Sequence, residues 1–289
     1  MTVAVYDLSK APITFDAICF AATVGSIDPR PRFVVLADQR RMRTQKDNEL
    51  EEWEWRWRAH RVIAASFWLL PGCRGVEVIT DARDAVRWRD AETVLRPDPL
   101  IRTCVAQHAL GHDVRILRAP GDAVGAIEAA GFAGPLAVLQ MRAARAQPTK
   151  NSNRDAWIKA ARYIAGKGCR VVIVPDTDEV FTRFDYPADL DVYAPAALDI
   201  GLRCALYERA SLVLSAGIGP AHFCMLRSDG RYAVMVRHAK HTLAELKGTY
   251  ERATGIQWGA QLPFADRKQR IVYRADSFEA ITAAFDSIV

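Results

Sequence analysis

The chain has 289 residues, half of them hydrophobic and a quarter charged. That length suits one large or two modest domains of ~100–200 residues each, and the balance is that of a globular protein with a sizeable core, which excludes a disordered chain. The net charge of +5 arises from 39 Lys and Arg against 34 Asp and Glu. A mild excess of this kind suits anionic ligands such as nucleoside diphosphates and permits peripheral docking on an acidic membrane face. It is too diffuse for a dedicated nucleic-acid binder.

Cys19, Cys73, Cys104, Cys169, Cys204 and Cys224 are scattered without a C-x-x-C pair. They read as buried thiols of a reducing compartment, with neither a disulfide framework nor a metal site. The N-terminus has no signal-peptide pattern, and no apolar run reaches the ~20 residues of a membrane span. A soluble, cytoplasmic protein is expected.

Short β-branched runs alternate with helical segments, the pattern of βαβ units and parallel sheets. Val3–Tyr6 predicts a first strand and Thr14–Thr23 a helix, with Thr14 as its N-cap. Arg32–Leu36 and Val76–Ile79 predict further strands on either side of a long helical segment, Asn48–Leu70. In that segment Leu50, Trp53, Trp57, Ala64, Phe67 and Trp68 share one face, which is expected to meet the core. Trp55, with Arg56 and Arg58, is left for a partner or acceptor contact.

Asp113–Leu117 predicts a strand, Ala123–Ala130 a helix and Pro135–Met141 a buried strand. A polar, basic stretch from Arg142 to Arg154 then breaks the rhythm. It predicts a loop and a domain junction, dividing the chain into 1–146 and 147–289. Beyond it the rhythm resumes: helix Asp155–Ala165, strand Arg170–Pro175, helix Leu198–Glu208, strand Ser211–Ser215, a glycine turn with another helix, strand Tyr232–Val236 and a closing helix Asp276–Ile288.

The run from Arg170 to His222, ending Ala216-Gly217-Ile218-Gly219-Pro220-Ala221-His222, resembles the nucleotide-binding half of GT-B type glycosyltransferases, especially the heptosyltransferase-like group. The segment from Leu139 to Trp157, with an Arg leaving a strand and a polar loop before a helix, is similar to the donor-side loop of bacterial fucosyltransferase-like surface-polysaccharide proteins. The resemblance implies two Rossmann-like α/β domains facing across a cleft, with the C-terminal helix packing back on the first. It also implies a nucleotide-sugar donor and a saccharide or lipid-linked acceptor. After strand one the chain reads Asp7-Leu8-Ser9-Lys10-Ala11-Pro12, without the Gly-Leu-Gly-Asp loop of many heptosyltransferases.

Several residues suit that chemistry. Gly217 and Gly219 would let the backbone approach a pyrophosphate, and Pro220 suits a first helical position. His222 follows in the first turn, placed to bond a phosphate oxygen or sugar hydroxyl. Arg142, Arg145, Lys150 and Arg154, with Asn153 among them, are candidates to hold a departing nucleoside diphosphate without a metal. Asp176 and Glu179 end a strand where carboxylates bind ribose, although their spacing favours a helix-capping pair. Asp16 is either a dipole-favoured residue of a helix start or the general base for an acceptor hydroxyl.

The expected activity is therefore metal- and cofactor-independent glycosyl transfer. The alternatives are a non-catalytic nucleotide-binding relative and a nucleotide-sugar epimerase on the same fold. No G-x-S-x-G supports a hydrolase, and no G-x-G-x-x-G follows strand one as in a dinucleotide dehydrogenase.

Overall fold

The computed structural model of the chain describes residues 2–38, 50–91, 94–145, 148–182, 185–217, 219–237 and 243–289. The 146/147 division itself, Ile218 and the start of the predicted Asn48–Leu70 helix lie outside them. The first sheet is parallel and orders β1 (Val3–Asp7), β2 (Arg32–Leu36) and β3 (Gly75–Ile79) in sequence. Leu95 adds a parallel bridge on the free side of β1, through bonds to Val3 and Val5 of 2.9 Å each. The helix α1 (Ala17–Ile27) covers this sheet, as does a composite helix whose first turns, α2 (Glu52–Arg58), pass through a π-helical stretch (Ala59–Ala64) into α3 (Ala65–Phe67).

Next come α4 (Ala82–Arg89), α5 (Ile101–Ala109) and α6 (Gly121–Ala129). No strand forms at Asp113–Leu117. Only Ile116 makes an antiparallel bridge, to Arg227, because Val114 and Leu117 are drawn into the core instead of onto a sheet edge. The second sheet has six parallel strands in the order β6-β5-β4-β7-β8-β9. They are β4 (Leu136–Gln140), β5 (Arg170–Val174), β6 (Asp191–Val192), β7 (Leu212–Ala216), β8 (Tyr232–Arg237) and β9 (Gln269–Ala275). The predicted strand Pro135–Met141 is thus central to this sheet, and the change of sheet precedes the predicted junction instead of following that strand.

The helices of this half are α7 (Arg154–Gly166), α8 (Thr177–Val180), α9 (Pro195–Leu198), α10 (Ile200–Arg209), α11 (His222–Met225), α12 (Leu243–Thr254) and α13 (Phe278–Asp286). The C-terminal helix does not return to the first half. Ala280, Ile281, Ala284 and Phe285 form one stripe of α13 and pack with Trp157, Ala160, Ala161 and Ile164 of α7 on the second sheet. The spacing of both stripes makes each helix a one-sided cover for that face.

The opposite face of the second sheet shares one uninterrupted core with the first half. Val138, Val172, Val213 and Val234 from the strands join Leu206 and Tyr207 of α10, and the same cluster reaches Phe20, Phe33 and Phe67. Phe33 and Phe67 stack at 4.4 Å between ring centroids, and Tyr6 meets Phe20 edge-on at 5.1 Å. Aromatic packing of this kind adds to plain area burial.

The expected core face of the Trp-rich helix holds at Ala64 and Phe67, which are buried, and at Leu50 and Trp57, which pack half-buried against the core. It fails at two positions: Trp53 is 55% exposed and Trp68 is half-exposed, while Trp55 goes inward with Ala59, Val62 and Ile63. The acidic neighbour Glu54 turns inward with Trp55, held by an ion pair described below. No helix among the described residues is long and apolar enough to cross a membrane. Truncating Phe67 to Ala should cost about 3–5 kcal/mol, since the cavity opens between three aromatic rings. Urea unfolding followed by tryptophan fluorescence will show the midpoint fall with it.

Candidate functional site

In the second sheet the chain runs one way from β4 through β5 to β6, and the other way from β7 to β9. The order therefore reverses between β4 and β7, and open parallel sheets take ligands at the C-terminal ends of the strands beside such a reversal. Gln140 and Ser215 are register partners there. Both are buried, and the Ser215 hydroxyl donates to Gln140 Oε1 at 2.6 Å. Just beyond them β4 leads into Arg142 and β7 into Gly217.

Gly217 has φ +98°, a left-handed value that favours glycine, and its amide donates to the Met235 carbonyl at 3.0 Å. A Cβ at this position would meet nothing within 4 Å, so the turn faces open space. A Cβ at Gly219 would lie 3.8 Å from Phe15 of the first half. The expected helix after this turn is a 3-10 turn, Gly219–Ala221, followed by the single turn α11. Its helix dipole is correspondingly short, so a phosphate here would rest mainly on side chains.

His222 opens α11 and is 4% exposed. Its Nδ1 lies 3.9 Å from Asp16 Oδ1 and makes no hydrogen bond. Asp16 stands at the start of α1 but its carboxylate caps nothing. The Thr14 hydroxyl donates to Asp16 Oδ2 at 2.7 Å and leaves the other oxygen toward His222. Burial pushes the imidazole below its ordinary value; the Asp16 carboxylate and a contact with the Phe15 backbone oppose that shift. The two predicted catalytic residues, one from each half, thus meet across the seam.

The predicted donor loop divides into separate roles. Arg142 is tied by its backbone, donating to Ser152 Oγ at 2.8 Å and accepting from the Ser152 amide at 2.9 Å. Lys150 is half-buried nearby, and burial and then the charge of Arg142 lower its pKa. Two cations are therefore held close together. Asn153 caps α7, its side chain accepting from the Ala156 amide at 3.3 Å. Arg154 pairs with Glu179 at 2.8 Å and lies 4.1 Å over the Tyr186 ring. Asp176 and Glu179 form a complete capping box on α8, and Asp176 also accepts from the Ala143 amide at 3.1 Å.

Arg145 serves the seam. Its Nη2 donates to Glu54 Oε2 at 2.5 Å, and its backbone amide donates to Asp178 Oδ2 at 2.8 Å. Arg58 bonds both carboxylates, Glu54 at 3.0 Å and Asp178 at 2.6 Å. Glu54 is 1% exposed, so these two guanidinium groups balance two carboxylates largely away from water. Sequence spacing could not reveal this knot, because Glu54 and Arg58 are an ordinary i,i+4 pair and their partners lie ninety and more residues away. Arg203 and Phe15, taken up below, also escaped the sequence reading, since an Arg inside a helix ordinarily reads as solvated.

No group of His, Cys, Asp and Glu among the described residues is arranged to hold a metal ion. The six cysteines are free. Scans of family models, curated proteins and solved structures find no match to the chain.

Two outcomes follow from the seam. Glu54→Gln leaves the largely buried Arg58 and the half-exposed Arg145 sharing one carboxylate and should destabilise the protein by about 2 kcal/mol, read as a lower urea midpoint at unchanged slope. For His222, the unfolded chain takes up a proton near the ordinary 6.5 while the native imidazole resists it. Stability is then fully present above that pH and declines as pH falls toward the lowered native value. Urea midpoints measured between about pH 8 and pH 5 should fall less steeply in His222→Asn than in the parent.

Proposed function

We propose that the chain is a metal-independent glycosyltransferase of the GT-B kind, acting on a nucleotide-sugar in the cytoplasm. The observation that carries this reading is the meeting of Asp16 and His222 across the seam, beside a strand-order reversal flanked by Arg142 and Gly217. Loops of the first sheet form the acceptor side and loops of the second the donor side.

In this scheme an acceptor hydroxyl attacks the anomeric carbon while Asp16, which Thr14 orients, takes the hydroxyl proton. The bond from the anomeric carbon to the diphosphate oxygen breaks, and the electron pair leaves with the nucleoside diphosphate. Arg142 and Lys150 stabilise the charge gathering there, as a divalent cation does elsewhere. His222, held neutral by burial, donates a hydrogen bond to a sugar hydroxyl or phosphate oxygen. Arg145, Asp176 and Glu179 keep the surrounding loops in place through the contacts already described, and Arg154 reinforces Glu179.

In EDTA, at least one of UDP, GDP, ADP and CMP at millimolar concentration should raise the melting temperature, because a ligand of the folded state alone must stabilise it. Arg142→Ala should weaken the best nucleotide about ten- to a hundredfold by calorimetry, the loss of a charge-assisted contact. Unmoved melting curves for all four would remove the reading. Binding without sugar release from any donor would instead assign a non-catalytic nucleotide-binding protein.

A further inference from the structure

Arg203 is 2% exposed, more deeply buried than any other arginine among the described residues. It occupies the first turn of α10, which runs antiparallel to the strands, so it stands at the C-terminal edge of the second sheet. Its Nε donates to the Ala196 carbonyl at 2.7 Å, and its guanidinium carbon lies 5.0 Å from the centre of the Phe15 ring. Its Nη2 is buried and has no hydrogen-bond partner. Unlike Arg58 and Arg145, it has no carboxylate at ion-pairing distance among the described residues. A buried cation with neither a counter-charge nor a full set of acceptors is costly, so an ion that completes it is the natural explanation.

The neighbouring groups add donors and supply no compensating charge. Tyr207 follows on the same helix face, four residues later, with its hydroxyl buried and unpartnered. Burial holds that phenol protonated, and the Arg203 charge acts on it. Cys204 stays a neutral thiol through burial, and the Cys224 thiol beside it is pushed up to about 12. Phe15 joins this group to the seam: one edge of its surroundings is Arg203, another is Gly219, and its backbone meets His222, whose Nδ1 is also unpartnered. Asp16 faces His222 and is not paired with Arg203.

We propose that Arg203, Tyr207 and His222 form a buried oxyanion site behind Phe15, which takes a phosphoryl group. A guanidinium N–H, a phenol O–H and an imidazole come from two separate elements, α10 and α11. Donors carried on two elements suit a tetrahedral phosphoryl group better than a planar carboxylate, which a single guanidinium fork already satisfies. If the glycosyl-transfer reading holds, this group is one phosphate of the donor; the site itself does not depend on that reading.

The test uses inorganic pyrophosphate on the full chain, in EDTA and at constant ionic strength. The parent should gain melting temperature with millimolar pyrophosphate. Arg203→Met should melt at the same temperature as the unliganded parent or higher, because it removes an uncompensated charge, and should no longer respond to pyrophosphate. Tyr207→Phe, which keeps the packing, should weaken pyrophosphate about three- to tenfold by calorimetry. It decides the matter if Arg203→Met fails to fold. A parent that ignores pyrophosphate, or an Arg203→Met protein that responds as the parent does, overturns the site. A pyrophosphate response lost in Arg203→Met, with no nucleotide bound, keeps this site and removes the glycosyl-transfer reading alone.

Discussion

A carboxylate that water hardly reaches must have its charge balanced, and Glu54 sets that condition for the whole molecule. Its partners come from opposite directions: Arg58 from its own helix, Arg145 from the loop after β4, with Asp178 from the start of α8 completing the balance. The knot can form only when the C-terminal edge loops of both sheets lie against one another. With α2 fixed in that way, Trp55 is carried into the core and Trp53 is left outside, the reverse of what hydrophobic spacing predicts for these two residues.

The seam combines two kinds of contact. Behind it, an apolar core continues from the Phe20, Phe33 and Phe67 cluster to the valines of the second sheet, so the halves are joined by burial as well as charge. In front of it, polar side chains gather at the strand ends. Some of these are fully occupied, such as Asp176 and Glu179 in their capping box and Arg154 on Glu179. Others keep unmet hydrogen-bonding capacity: His222, Arg203 and Tyr207. Occupied groups hold loops, while buried groups with capacity to spare suit recognition of something the chain does not itself contain.

Much of the α/β pattern was legible because it rests on local signals. Runs such as Arg170–Val174 and Leu212–Ala216 are β-branched and apolar on both faces, as buried parallel strands are. The Asp176 and Glu179 spacing gave the capping box directly, since both partners lie within one turn. Polar or mixed segments were harder. β9 was missed because Gln269, Arg270 and Arg274 interrupt the apolar run of an edge strand, and Asp113–Leu117 looked like a strand although its apolar residues serve the core between the sheets. In the candidate site, the sequence singled out Asp16 and His222 separately, with nothing to show that they face each other. It credited Arg145 with ligand binding because its carboxylate partner lies 91 residues away.

The sequence by itself determined the alternation of strands and helices, the parallel character of the sheets and the glycine turn after β7. Each depends on side-chain periodicity or backbone freedom within a few residues. Only the tertiary structure decided the strand order, the shared core, the destination of the C-terminal helix and the distant partners of Glu54, Arg58 and Arg145. Those outcomes depend on which distant surfaces can be buried together and which charges must be balanced once they are, and that competition leaves no local pattern in the chain.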